Sequence, residues 1–175
     1  KEEDGRYQNF RRAAGKKVGE YFFFFFQSQA AVAVLFIVPM SIVVYNPRPL
    51  GTIDSIAVLI WMFSVGGEWT ADNQLAKFRA EESNKGKVCR TGLWKYSRHP
   101  NYFFEWVHWW SYVVLGWGAG YGWVTLVGPC IMLLFLIKIS GIPFTEQQAL
   151  KTKGEEYKKY LETTSMFFPW PPKEN

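Results

Sequence analysis

The run Tyr21–Tyr45, YFFFFFQSQAAVAVLFIVPMSIVVY, extends for 25 residues without Asp, Glu, Lys, Arg or His. As a helix it is roughly 37 Å long, more than the hydrocarbon thickness of a bilayer. A chain of 175 residues offers little other protein to bury such a helix on all sides, so lipid is its expected surrounding. Three less pure apolar stretches follow, at about 53–70, 102–118 and 123–142. Together they predict an all-α fold: a polytopic membrane bundle of about four transmembrane helices in a single domain, 1–175, with an amphipathic C-terminal helix. Aromatic residues make up 19 % of the chain, and Trp and Tyr belong at membrane boundaries. The Phe22–Phe26 run, Trp94, Phe167, Phe168 and Trp170 are expected there.

The net charge of +5 is segregated. Between Lys77 and Arg98, seven Lys and Arg face only Glu81 and Glu82, a net +5 within one loop. The connections at 46–52 and 118–122 are nearly uncharged. Positive charge marks the cytoplasm-facing side, so the N-terminal segment, a loop at 72–101 and a tail at 143–175 are expected on that side. The endoplasmic reticulum, a bacterial inner membrane and an organellar membrane fit this pattern equally. Residues Lys1–Glu20 carry no secretory pattern. Cys89 and Cys130 are far apart in unlike surroundings, which predicts no disulfide framework, and two His make no metal-ligand set. The aromatic residues lie in the spans rather than on a basic face, which argues against a nucleic-acid partner.

Ionisable groups inside apolar stretches are costly, on the order of 3 kcal/mol each at the bilayer centre, and mark candidate sites. On a helix begun by Pro100, the residues Asn101, Glu105, His108 and Tyr112 form one polar stripe. It either holds the ribose or amide of a nucleotide or glues helices together. Glu68, Asp72 and Arg79, in GEWTADNQLAKFR, share a second face. The carboxylates suit sugar hydroxyls and the guanidinium suits phosphate, the alternative being an interfacial ion-pair network. Arg90, Lys95, Arg98 and His99 form a basic loop that anionic lipid alone explains. Lys138 either snorkels or contacts phosphate, and a kink is expected at Gly141 and Pro143. The helix beyond it, from Glu146, is read as amphipathic, with Tyr157 and Tyr160 as packing.

GEWTADNQLAKFR, GLWKYSRHPNYFFEWVHWW and SGIPFTEQQALKTKGEEYKKYLETTSMFFPWPP, in that order, resemble the steroid 5-alpha-reductase superfamily, in its DUF1295 branch. The resemblance covers nearly the whole chain. It implies a helical membrane fold that binds NADPH in a cytoplasm-facing cavity and reduces an electron-poor C=C of an apolar, steroid-like or lipid enone. The cofactor contacts it implies are Glu68, Asp72, Arg79, Arg90, Arg98, His99, Asn101, Tyr102, Glu105, Lys138 and Glu146. Glu68 stands where the reductases have an amide, Glu146 where they have a tyrosine, and Phe104 where they have a glycine beside the glutamate position, so that its ring is expected to crowd the nicotinamide side of the pocket. The resemblance places the enone-polarising Glu and Tyr upstream of Lys1, so the chain is expected to be a C-terminal, cofactor-binding part, and no residue in it is named as the proton donor. Membrane lipids, an apolar small-molecule substrate and other membrane subunits are the partners it implies. The RHPNY segment and the later acidic cluster also resemble membrane methyltransferases that bind S-adenosylmethionine, and a non-catalytic accessory subunit is the third reading.

Overall fold

The computed structural model describes residue 11 and residues 14–173, and among them it is helical throughout, without strands. Most of the N-terminal polar segment and the last two residues lie outside the described residues. The chain divides into two compact units, 1–38 and 39–175. The first is dominated by α1 (Val18–Val44), entered through a 3₁₀ turn at Gly15–Lys17. Its Phe run is largely exposed, with Phe23, Phe24 and Phe26 at least half so, as lipid-facing rings would be.

The second unit holds α2 (Thr52–Ala80), α3 (Pro100–Leu115), α4 (Val127–Leu134) and α5 (Ile142–Thr163). Asp54 fixes the start of α2: its carboxylate accepts the Gly51 N–H at 2.7 Å and the Arg48 guanidinium at 2.8 and 3.0 Å. No Gly or Pro interrupts 68–80, so α2 runs on past the apolar stretch. The first nine residues of the expected loop at 72–101 are therefore helical, and the face carrying Asp72 and Arg79 is rigid. α2 packs along α3, where Phe104 fills the notch opposite Gly67: a Cβ on Gly67 would run into the Phe104 ring. Phe63 meets that ring edge-on, with centroids 5.4 Å apart.

α3 begins at Pro100, whose missing N–H costs nothing in a first turn. α4 runs into a π-helical turn at Phe135–Ile139, which ends as Ser140 N–H bonds back to Phe135 O at 3.0 Å. The chain then breaks at Gly141 and restarts as α5 at Ile142, four residues before the amphipathic helix was expected. A second break lies at Gly154, with φ 55°. Among the described residues, two segments are long and apolar enough to cross a membrane, Gly15–Val44 and one within Gly122–Thr163. α2 is long enough, but Asp54, Glu68 and Asp72 dilute its apolar character; α3, at 16 residues, is shorter than the roughly 20 a perpendicular crossing needs. α5 forms the charged, C-terminal part of Gly122–Thr163.

The loop between α2 and α3 is pinned on both sides. Trp94 Nε1 donates to Ala71 O at 2.8 Å and Leu93 N–H to Gln74 Oε1 at 2.8 Å. Gly92 takes φ 58° against the Gln74 side chain, where any Cβ would collide. On the other side the Tyr160 hydroxyl donates to Trp94 O, and Ser97 Oγ donates to Phe167 O at 2.8 Å. Arg98 N–H reaches Ser165 O, and Trp170 N–H reaches Tyr96 O.

Candidate functional site

The pinned loop, α2, the start of α3 and α5 enclose a cavity of about 310 Å³. Its polar lining comprises Asp72 and Arg79 from α2, Arg98 and His99 from the loop, Asn101 and Tyr102 from α3, and Thr145, Lys153, Tyr157 and Tyr160 from α5. Leu75, Val88, Cys89, Trp94 and Ala149 supply the apolar wall. That volume is at the lower end of small-molecule sites.

Six of the sequence-predicted residues meet here: Asp72, Arg79, Arg98, His99, Asn101 and Tyr102. Asn101 Nδ2 donates to Asp72 Oδ1 at 3.1 Å, which joins the two predicted faces. Asn101 Oδ1 is buried with no hydrogen-bond partner, an acceptor awaiting a donor. The His99 ring stacks on Tyr102, centroids 5.4 Å apart and 5° from parallel. Glu68, Glu105 and Asp72 lie close enough for their charges to interact, but Glu68 and Glu105 are outside the cavity lining. His108 and Tyr112 continue the polar stripe, 3.4 Å apart.

The expected cations part company. Arg98 is spent on structure: Nε donates to Glu146 Oε1 at 2.8 Å, and Nη1 donates to Leu161 O and Thr164 O. Glu146 is thus held by Arg98 and by His99 Nε2 at 3.2 Å, and it does not line the cavity. Burial pushes its carboxyl up, but the hydrogen bonds from His99 and Arg98 outweigh this and hold it below the usual range. Arg90 is exposed, with its guanidinium on Glu156 O at 2.9 Å and over the Tyr160 ring. Lys138 falls in the π-helical turn and is exposed, away from the cavity, because i→i+5 bonding displaces the side-chain register. Phe104 is buried against α2 and does not line the cavity, in contrast to the expected position beside a nicotinamide.

Sequence reasoning missed the α5 wall. Thr145, Ala149, Lys153 and Tyr157 recur every four residues and all line the cavity, a signal that was present but reads as ordinary amphipathic packing. Burial pushes the Tyr157 phenol up to about 12, so at neutral pH it is a hydrogen-bond donor and acceptor, not an anion. Burial, followed by the Arg79 charge, holds the Lys153 ammonium below its usual range.

The family model described as "Protein of unknown function (DUF1295)" matches residues 1–164. The chain belongs to the DUF1295 family. No curated protein and no solved structure gives a significant match to it. The cavity of this DUF1295 chain is therefore read from its own residues. Asp72 and Asn101 offer acceptors and an amide at one end, and Arg79 stands two helical turns away, about 10 Å along α2. Among the described residues no cluster of three His, Cys, Asp or Glu side chains could hold a metal ion.

Proposed function

We propose that this DUF1295 chain is a multi-pass membrane protein of the steroid 5-alpha-reductase type, with four spans, that holds NADPH and serves reduction of a C=C bond in an apolar enone. The observation that carries this reading is the bipolar cavity, with its Asp72–Asn101 pair at one end and Arg79 at the other. A nucleotide has the same polarity: hydroxyls and amides at a sugar or base, phosphates a few bonds away. The orphaned Asn101 Oδ1 would gain a donor from an amide or ribose hydroxyl, removing a cost of about 1–3 kcal/mol. Asp72 would accept from a sugar hydroxyl, Arg79 would meet phosphate, and Trp94 and Leu75 would exclude water. When bound, NADPH supplies a hydride. S-adenosylmethionine suits the lining less well, since it has no phosphate and its sulfonium adds positive charge beside Arg79 and Lys153.

Titration of the purified protein in detergent, read through the tryptophan fluorescence of the Trp94 wall, tests the reading. NADPH should quench wild type saturably, and Asp72→Ala and Asn101→Ala should each weaken it by about tenfold or more. Unchanged affinity in both variants sinks the proposal, and tight binding of S-adenosylmethionine alone replaces it with a methyltransferase.

A further inference from the structure

α1 is long and apolar enough to cross a membrane, and the residues around it are unequally exposed. Phe22, Phe25, Val32 and Phe36 are half-buried and Pro39 is buried, and at about 100° per residue these five share one face. Gln27 lies half a circle from Phe36, on the opposite face, with Phe23, Ala30, Ala31 and Val34, and all five are exposed. The charge-free run begins at Tyr21, so Gln27 stands about 9 Å inside it, which in a bilayer is within the hydrocarbon. A carboxamide without a hydrogen-bond partner is costly in that medium. Ser28 meets this need within the helix, its hydroxyl donating to Phe25 O at 2.8 Å. Gln27 makes no hydrogen bond with any described residue.

We propose that this face of α1 is the contact between two copies of the chain, with the two Gln27 amides exchanging hydrogen bonds across a two-fold axis. The chemistry favours a second copy over another partner. A carboxamide carries both donors and an acceptor, so it satisfies an identical group. Copies inserted in the same orientation bring Gln27 to Gln27 at one depth, as an isologous contact requires. Ala30 and Ala31, one turn further on, let the two backbones approach closely, and Phe23 and Val34 flank the amides with apolar surface. Nothing between Phe23 and Val34 is charged, so the two helices meet without repulsion. The contact needs α1 in the bilayer and does not depend on what the cavity binds.

Donor- and acceptor-labelled full chain is reconstituted in phosphatidylcholine vesicles over a range of protein-to-lipid ratios, and energy transfer between copies reads the dimer. Transfer in wild type should rise saturably with protein density. Gln27→Leu, which keeps α1 apolar, should raise the density needed by about tenfold, and the conservative Gln27→Asn should keep the wild-type curve. Gln29→Leu, on the half-buried side, should change it less than about twofold. In a background lacking Cys89 and Cys130, single cysteines in place of Phe23, Ala30 and Val34 should cross-link to a second copy on oxidation, and cysteines in place of Val32 and Phe36 should not. These cysteines leave Gln27 in place, so they report on the face separately from the amide. Wild type that stays monomeric at every density, Gln27→Leu that associates as wild type does, or cross-links at Val32 and Phe36 instead overturns the proposal. So does cross-linking in native membranes that joins the Ala30→Cys chain to one of different mass and never to its own kind.

Discussion

The ionised Glu146 carboxylate can only accept hydrogen bonds, so His99 Nε2 carries the proton in their contact and Arg98 Nε supplies the second donor. The side chains of Arg98 and His99 are mostly withdrawn from water, and this triangle is one of the links from α5 to the loop, beside the Tyr160 hydroxyl on Trp94 O. The Glu146 carboxyl titrates lower in the folded than in the unfolded chain, so its contribution to stability is complete above the unfolded value of about 4.5 and is lost as the pH falls through the lower folded value. Glu146→Gln should cost about 2 kcal/mol near neutrality and make the melting temperature less sensitive to acid as the pH falls from the unfolded to the folded value. Thermal melts from pH 3 to 7 check both, and parallel acid limbs in the two proteins would refute the assignment. Single residues also show what a sequence can say about a site. Asp72, Arg79 and Asn101 stood out because polar groups at helical spacing interrupt apolar stretches. Lys153 did not, because it sits among other lysines on a charged helix, where only the opposite wall of the cavity distinguishes it.

Gly67 and Phe104 set how closely α2 and α3 approach, since the ring occupies the space a side chain on Gly67 would need. Gly67→Ala should destabilise by about 1–3 kcal/mol through overpacking. Combining it with Phe104→Leu, which removes the ring, should cost less than the two single changes summed, a coupling that denaturation of all four proteins measures. Additive losses would place the strain elsewhere. The helices were legible as apolar runs, but two element-level features were not. α2 continues to Ala80 because nothing in 68–80 stops a helix, while composition there changes from apolar to basic and reads as a loop. The π-helical turn at Phe135–Ile139 has no side-chain signature, and it is the reason Lys138 leaves the side on which the site was expected.

At the scale of the molecule, the segregated basic charge gives an orientation that can be measured. With four crossings, single cysteines at Lys87 and Lys151 should react with an impermeant maleimide from the cytoplasmic side only, and one at Tyr121 from the opposite side only, in a background lacking Cys89 and Cys130. Labelling of Tyr121→Cys from the cytoplasmic side would mean that fewer segments cross. The cavity joins parts of the chain made at very different times. Ser97 Oγ bonds Phe167 O across 70 residues, Tyr160 reaches Trp94 across 66, and Arg98 finds Thr164 at a similar separation. At ribosomal rates of about 5–20 residues per second, the loop waits several seconds for its partners. Throughout that interval α2 and α3 can already pair while the basic loop lacks its C-terminal partners, so the cavity closes after the helices it is built on have met.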